Sequence, residues 1–151
     1  MDGSNAPNAA RKAWLSVLAK APAAHLADLW IKAGLDPAHD VLRAPEIGAV
    51  MVRGRAGAVG APFNLGEMTI TRCSVRLATG EVGHGHVQGR DKNHAKQAAL
   101  TDALMQTSEA KAVEAQIITP LLKAAERRRA TRAAKAAATK VDFFTMVRGE
   151  D

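Results

Sequence analysis

The sequence predicts an α+β fold: an N-terminal helical hairpin, a small antiparallel sheet of three to four strands, a following helix, then a C-terminal basic helix and a docked tail. Three observations carry this reading. Apolar residues recur at helical spacing over residues 1–34, alternate over 68–77, and return to helical spacing after Asp91. At 151 residues the chain is expected to form one domain with a real core. Its parts are the hairpin at 1–34, the sheet at 41–88, helices at 90–140 and the tail at 141–151.

The first helix is "NAARKAWLSVLAKA", where Trp14, Leu15 and Leu18 share one face. Pro22 interrupts it, and "PAAHLADLWIKAG" restarts with Leu26, Leu29, Trp30 and Ala33 on an apolar stripe. Gly34 supplies the C-terminal stop. From "HDVLRAPEIGAVMVRGRAG" the pattern turns β-like, in short runs of Val, Ile and Met broken by Pro45, Gly54 and Gly57. "GAVGAPFNLGE" reads as a Gly-rich loop or wide turn. "MTITRCSVRL" is the clearest strand, with Thr71, Cys73, Val75 and Leu77 on one face and Arg72, Ser74 and Arg76 on the other. "ATGE" is a turn with Gly80 at its φ > 0 position, and "VGHGHVQG" returns as the next strand.

The next helix starts near Asp91, an N-cap or first-turn acid, and runs through "KNHAKQAALTDALMQ". Ala99, Leu100, Ala103 and Leu104 make its narrow apolar stripe. "AVEAQIITPLL" is a further apolar segment, broken by Pro120. "KAAERRRATRAAKAAATK" has strong helix propensity but almost no apolar side chain larger than a methyl, so it should lie on a partner or in solvent. The tail "VDFFTMVRGED" turns abruptly apolar and aromatic, which marks Phe143, Phe144, Met146 and Arg148 as partner-binding candidates.

Composition narrows the classes of function. The chain is 47% hydrophobic and 24% charged, ordinary for a globular protein. No apolar run reaches bilayer length and the first residues hold no apolar signal core, so a cytoplasmic protein is expected, with no membrane partner. A single cysteine, Cys73, excludes an intrachain disulfide and a cysteine-based metal cage. Residues 121–140 carry Lys123, Arg127, Arg128, Arg129, Arg132, Lys135 and Lys140 against Glu126 alone, which equals the whole chain's net charge of +6. The basicity is therefore local.

Four constellations bear on chemistry. His84 and His86 form an H-x-H that a strand would point one way, and His94 and Cys73 would complete a metal site. No acid or second Cys/His pair stands at ligand spacing, so two surface histidines are the favoured reading and no metal is expected. In "GRDK", Gly89 at a strand end opens a helix N-terminus that can hold an anion, with Arg90 and Lys92 adding charge. It matches no nucleotide fingerprint. The structural alternative is that Asp91 caps the helix and Arg90 pairs with a neighbouring acid. Cys73 and Ser74 lie mid-strand with nothing in the sequence tying either to a histidine, so no catalytic constellation is legible. The basic helix suits phosphate backbones, yet lacks aromatic interleaving, and an arm embracing another protein is favoured.

Several stretches, in collinear order, now carry a resemblance: "RKAWLSVLA", residues 43–77, "GHGHVQGRDKNHA", "VQGRDKNHAKQAALTDALMQ" and "VDFFTMVRGED". They resemble the PhnG family, the small G subunit of the bacterial carbon–phosphorus lyase machinery. Residues 121–140 are the least characteristic part. The resemblance implies a place in a cytoplasmic core complex with H, I and J subunits in two copies each, joined by ATPase-like K and L subunits. It implies that this chain, with I, H and L, helps make alpha-D-ribose 1-methylphosphonate 5-triphosphate, methylphosphonate displacing the adenine of ATP (taken with Mg) at the ribose anomeric carbon. The chain would thus be a subunit of a transferase complex, inactive alone, with no catalytic residue or cofactor of its own. The iron–sulfur cluster and S-adenosylmethionine would belong to the J subunit. Gly89, Arg90, Asp91, Lys92 and His94, with Arg72 and Arg76 beside them, are then the phosphate-compatible or interface candidates. The reading from another class is a small basic nucleic-acid-binding module using residues 121–140.

Overall fold

In the computed structural model, residues 6–57 and 59–140 are described. Helices α1 (Ala6–Lys20) and α2 (Ala23–Ala33) are followed by strands β1 (His39–Arg55), β2 (Pro62–Leu77) and β3 (Val82–Gln88). Then come α3 (Lys92–Leu104), α4 (Ala110–Val113), a π-helical turn at Glu114–Ile118, and α5 (Thr119–Ala138). The expected α+β order is the observed one, with three antiparallel strands in the order β1-β2-β3. The tail candidates Phe143, Phe144, Met146 and Arg148 lie outside the described residues.

α3 is the central element. It packs on β2 and β3 and also meets α1 and α2. Its buried set runs from His94 and Ala95 through Ala98 to Leu104, much wider than a narrow stripe. Leu18 and Leu26 from the first two helices, Val75 and Val87 from the sheet, and Ile117 and Leu121 from the last helical run complete the core. Each fully buried Leu or Ile contributes about 1.5–3 kcal/mol. Gly34 ends α2 in the left-handed region (φ 62°), as the sequence predicts.

The alternation in β2 is realised: Thr71, Cys73, Val75 and Leu77 are buried, while Arg72 and Arg76 are exposed on the open face. In β3 the inward positions are Gly83 and Gly85, and here the absence of a side chain is a packing requirement. A Cβ at Gly83 would sit 1.9 Å from the Ala99 carbonyl oxygen, and one at Gly85 2.0 Å from that of Ala95. With Ala95, Ala99 and Ala103 along the facing side of α3, helix and strand meet backbone to backbone.

The β1–β2 hairpin departs from expectation. β1 runs on through Pro45 and Gly54, and pairing with β2 continues to Arg55↔Pro62. The predicted loop over 57–67 is thus strand from Pro62 onward. Pro45 is tolerated because β1 is an edge strand and the register shifts between Arg43 and Glu46. β3 covers β2 only from Ile70 to Arg76, so the rest of the hairpin extends as a two-stranded ribbon. Met51, Phe63 and Leu65 on that ribbon are 45–65% exposed.

Pro120 does not break its segment either. It falls at the start of α5, where a π-turn stands just upstream. Proline has no N–H for the carbonyl four residues back and its ring crowds that carbonyl; the wider turn accommodates both. The helical run therefore continues, and Val113, Ile117, Ile118 and Leu121 all reach the core. From Glu126 onward every residue of α5 is exposed. No helix among the described residues is long and apolar enough to cross a membrane.

Candidate functional site

The strand-to-helix junction at 86–100 is built by three local devices. Gly89, at φ 95°, takes the left-handed step that ends β3. Its N–H donates to the Thr69 carbonyl (3.0 Å), and its carbonyl accepts from Thr71 Oγ1 (2.8 Å), which locks the step onto β2. Asp91 then caps α3, its Oδ1 accepting from the His94 N–H at 2.9 Å. The positive end of the helix is thereby already answered by a carboxylate of the chain itself. Arg90 and Lys92 project outward as exposed side chains, and neither has a hydrogen bond or ion pair among the described residues. The acid expected to pair with Arg90 is not among the described residues.

His94, the remaining phosphate-contact or interface candidate, does not stand beside them at the surface. It is 2% exposed, and its Nε2–H donates to the Leu18 carbonyl at 3.0 Å. Leu18 lies in the last turn of α1, where carbonyls have no intrahelical partner, so the ring closes the end of α1. Apolar spacing could not show this, because the partner lies 76 residues away. Burial is the largest influence on the ring and lowers its pKa from the ordinary 6.5; the Leu18 bond and the Asp91 charge oppose it. The folded state therefore binds this proton less readily than the unfolded chain. The contribution is fully present above 6.5 and is lost as pH falls below it. The melting temperature should accordingly drop between about pH 7.5 and about pH 5.5, and His94→Gln should flatten that part of the profile. An unchanged slope in the variant would exclude His94 as its source.

The largest buried polar centre is one the sequence reading missed. Asp102 is fully buried in α3. Its Oδ1 accepts from Arg11 Nε (3.1 Å) and Trp14 Nε1 (2.8 Å). Its Oδ2 accepts from Arg11 Nη2 (2.7 Å) and from the backbone N–H of His84 (2.9 Å). Arg11 Nη2 and Gln106 Nε2 also donate to the Val82 carbonyl (3.2 and 2.9 Å). Two outward backbone groups at the start of edge strand β3, the Val82 carbonyl and the His84 N–H, are thus taken up by side chains of α1 and α3, which covers that part of the edge.

On the open sheet face the rows run across all three strands: Glu46–Arg72–His86, then Arg43–Ser74–His84. Glu46 binds both Arg43 and Arg72, and Arg72 beside it is the main cause that holds its carboxyl below the usual range. Arg76 pairs with Asp40 at 3.2 Å. Ser74 Oγ lies 2.9 Å from His84 Nδ1, a juxtaposition invisible in sequence. No third group orients that ring among the described residues, so the pair lacks the support a nucleophile needs. Cys73 points to the opposite, buried face, where desolvation raises its thiol pKa. The four donors His84, His86, His94 and Cys73 therefore do not converge, and no metal-holding cluster occurs among the described residues. A groove of about 410 Å³ beside His86 is lined by α1 residues that include Arg11, Lys12 and Ser16.

Fold and site together define a small helix-on-sheet domain whose buried polar groups join helices to the sheet, with its unpaired cations at the surface. The model for "Phosphonate metabolism protein PhnG" matches residues 9–149. The chain is also 48% identical over 146 residues to alpha-D-ribose 1-methylphosphonate 5-triphosphate synthase subunit PhnG of Rhizobium meliloti (strain 1021), covering 95% of this chain and 92% of that one. The chain belongs to the PhnG family.

Proposed function

We propose that the protein is an accessory subunit of a phosphonate-degrading carbon–phosphorus lyase core complex. In this reading it is required, with I, H and L subunits, for displacement of adenine from ATP by methylphosphonate, giving alpha-D-ribose 1-methylphosphonate 5-triphosphate. The observation that carries it is 48% identity, over 95% of the chain, to a relative named as a subunit of that synthase. The complex is cytoplasmic, contains H, I and J subunits in two copies each, and engages K and L. ATP with Mg is a substrate of the assembly; the iron–sulfur cluster and S-adenosylmethionine serve the J subunit.

The site geometry supports a positioning role. Displacement at an anomeric carbon develops positive charge there and needs a proton for the leaving adenine, work suited to carboxylates and general acids. The buried carboxylate here, Asp102, is occupied by four donors, and Asp91 is a helix cap. Arg90 and Lys92 remain as cations suited to a phosphate or to a partner's acid. Isolated chain is expected to release no adenine from ATP. Co-expression with the I subunit should yield a co-purifying pair, and the assembly with H and L should release adenine when methylphosphonate is supplied. Adenine release by the chain alone would overturn the accessory role. In the assembly, Arg90→Ala should slow turnover without dissolving the complex if Arg90 meets phosphate, and loosen the complex if it meets a subunit.

A further inference from the structure

Beyond Glu126, the exposed half of α5 holds five cations, Arg127, Arg128, Arg129, Arg132 and Lys135, and no acid. Resting on the subunit reading above, we propose that this half-helix is a cationic arm that seats against an acidic surface of a partner protein in the same assembly, with Arg128, Arg132 and Lys135 as its contact row.

Leu121, Ala124 and Ala125 form the face by which α5 is held: Leu121 is buried, and both alanines are partly covered. Steps of three and four residues carry that same face on to Arg128, Arg132 and Lys135. The anchoring stripe thus becomes a row of cations where the body ends, and every residue there is exposed. Arg127 and Arg129 flank the row on either side. Ala130, Ala133, Ala134 and Ala137 occupy the opposite face and add no bulk, so the arm is slim enough to enter a groove.

Charge supplies the second strand. Arg128 and Arg132 are four apart, while Arg129 and Arg132, and Arg132 and Lys135, are three apart. Like charges at these spacings destabilise a helix by about 0.2–0.5 kcal/mol each. Among the described residues no carboxylate pairs with any of the five cations from Arg127 to Lys135. Only Lys135 lies in the last turn, where the helix dipole rewards a cation. An acidic surface would relieve this repulsion. A protein surface is favoured over a nucleic acid because no aromatic side chain stands among the cations for base stacking.

The test uses the full chain, wild type and with Arg128→Glu, Arg132→Glu and Lys135→Glu combined, each co-expressed with the I, H and J subunits. All three positions are exposed, so an unchanged melting temperature of the purified variant is the check on folding. The reversal should weaken incorporation about tenfold or more, while replacing Arg128 and Arg132 by Lys should largely preserve it. Raising salt from about 50 mM to about 500 mM should weaken the wild type more than the reversed variant. Incorporation of the reversed variant at wild-type level would overturn the arm alone. Failure of the wild type to assemble would overturn both the arm and the subunit reading. Retention of the wild type on a DNA duplex at about 150 mM salt, lost on reversal, would overturn it in favour of a nucleic-acid partner.

Discussion

Gly85→Ala is expected to destabilise the protein by about 3 kcal/mol or more, the upper range for an over-packed core site. The added Cβ would lie 2.0 Å from the Ala95 carbonyl oxygen and 2.9 Å from the Ala99 nitrogen. Both obstacles are helix backbone, which no rotamer change can move. α3 would have to lift from β3, which disturbs the contacts it makes with α1 and α2. For a domain of this size that loss lowers the melting temperature by roughly 6–12 °C. Gly83→Ala meets the Ala99 carbonyl oxygen at 1.9 Å and should cost at least as much. His86→Ala, one residue away on the open face, should stay within about 0.5 kcal/mol of wild type. A Gly85→Ala variant that melts with the wild type would show that helix and strand are not in backbone contact.

Asp102→Ala is the second large effect, expected to cost about 3–5 kcal/mol by urea or thermal unfolding. Removing the carboxylate leaves the Arg11 guanidinium, the Trp14 indole N–H and the His84 N–H without their shared acceptor. Asp102→Asn should recover only part of the loss, since its amide nitrogen turns a donor toward donors. Arg11→Ala should cost less than Asp102→Ala, because the Trp14 and His84 N–H groups still satisfy the acid and the Arg11 side chain is 32% exposed. An Asp102→Ala midpoint within about 0.5 kcal/mol of wild type would mean the network contributes little net stability.

Much of the fold was legible because local pattern and final environment agreed. β2 alternates in sequence and alternates in burial, from Thr71 to Leu77. Asp91 reads as a cap and is one, since a cap concerns residues three apart. Asp102 was hidden although its position gave a signal: it stands three residues after Ala99 and seven after Ala95, on the helix face that packs. An acid in an apolar stripe calls for a buried donor, and Arg11 with Trp14, three apart on one helix face, supplies it. The hairpin was misjudged for a different reason. Its prolines and glycines are breakers in isolation, but an edge strand with register shifts accommodates them.

By itself, the sequence determined the order of helices and strands, the two faces of β2, the cap at Asp91, and the concentration of charge in one late helix. Each follows from spacing within a few residues. The tertiary structure alone decided that His94 is buried against Leu18, that Asp102 rather than a histidine is the polar centre, and that Ser74 meets His84. It also decided that Gly83 and Gly85 admit a helix, leaving His84 and His86 on the open face. The physical reason is that burial and pairing are set by whatever packs from elsewhere in the chain. Arg11 and Asp102 are 91 residues apart, and no local period records that meeting.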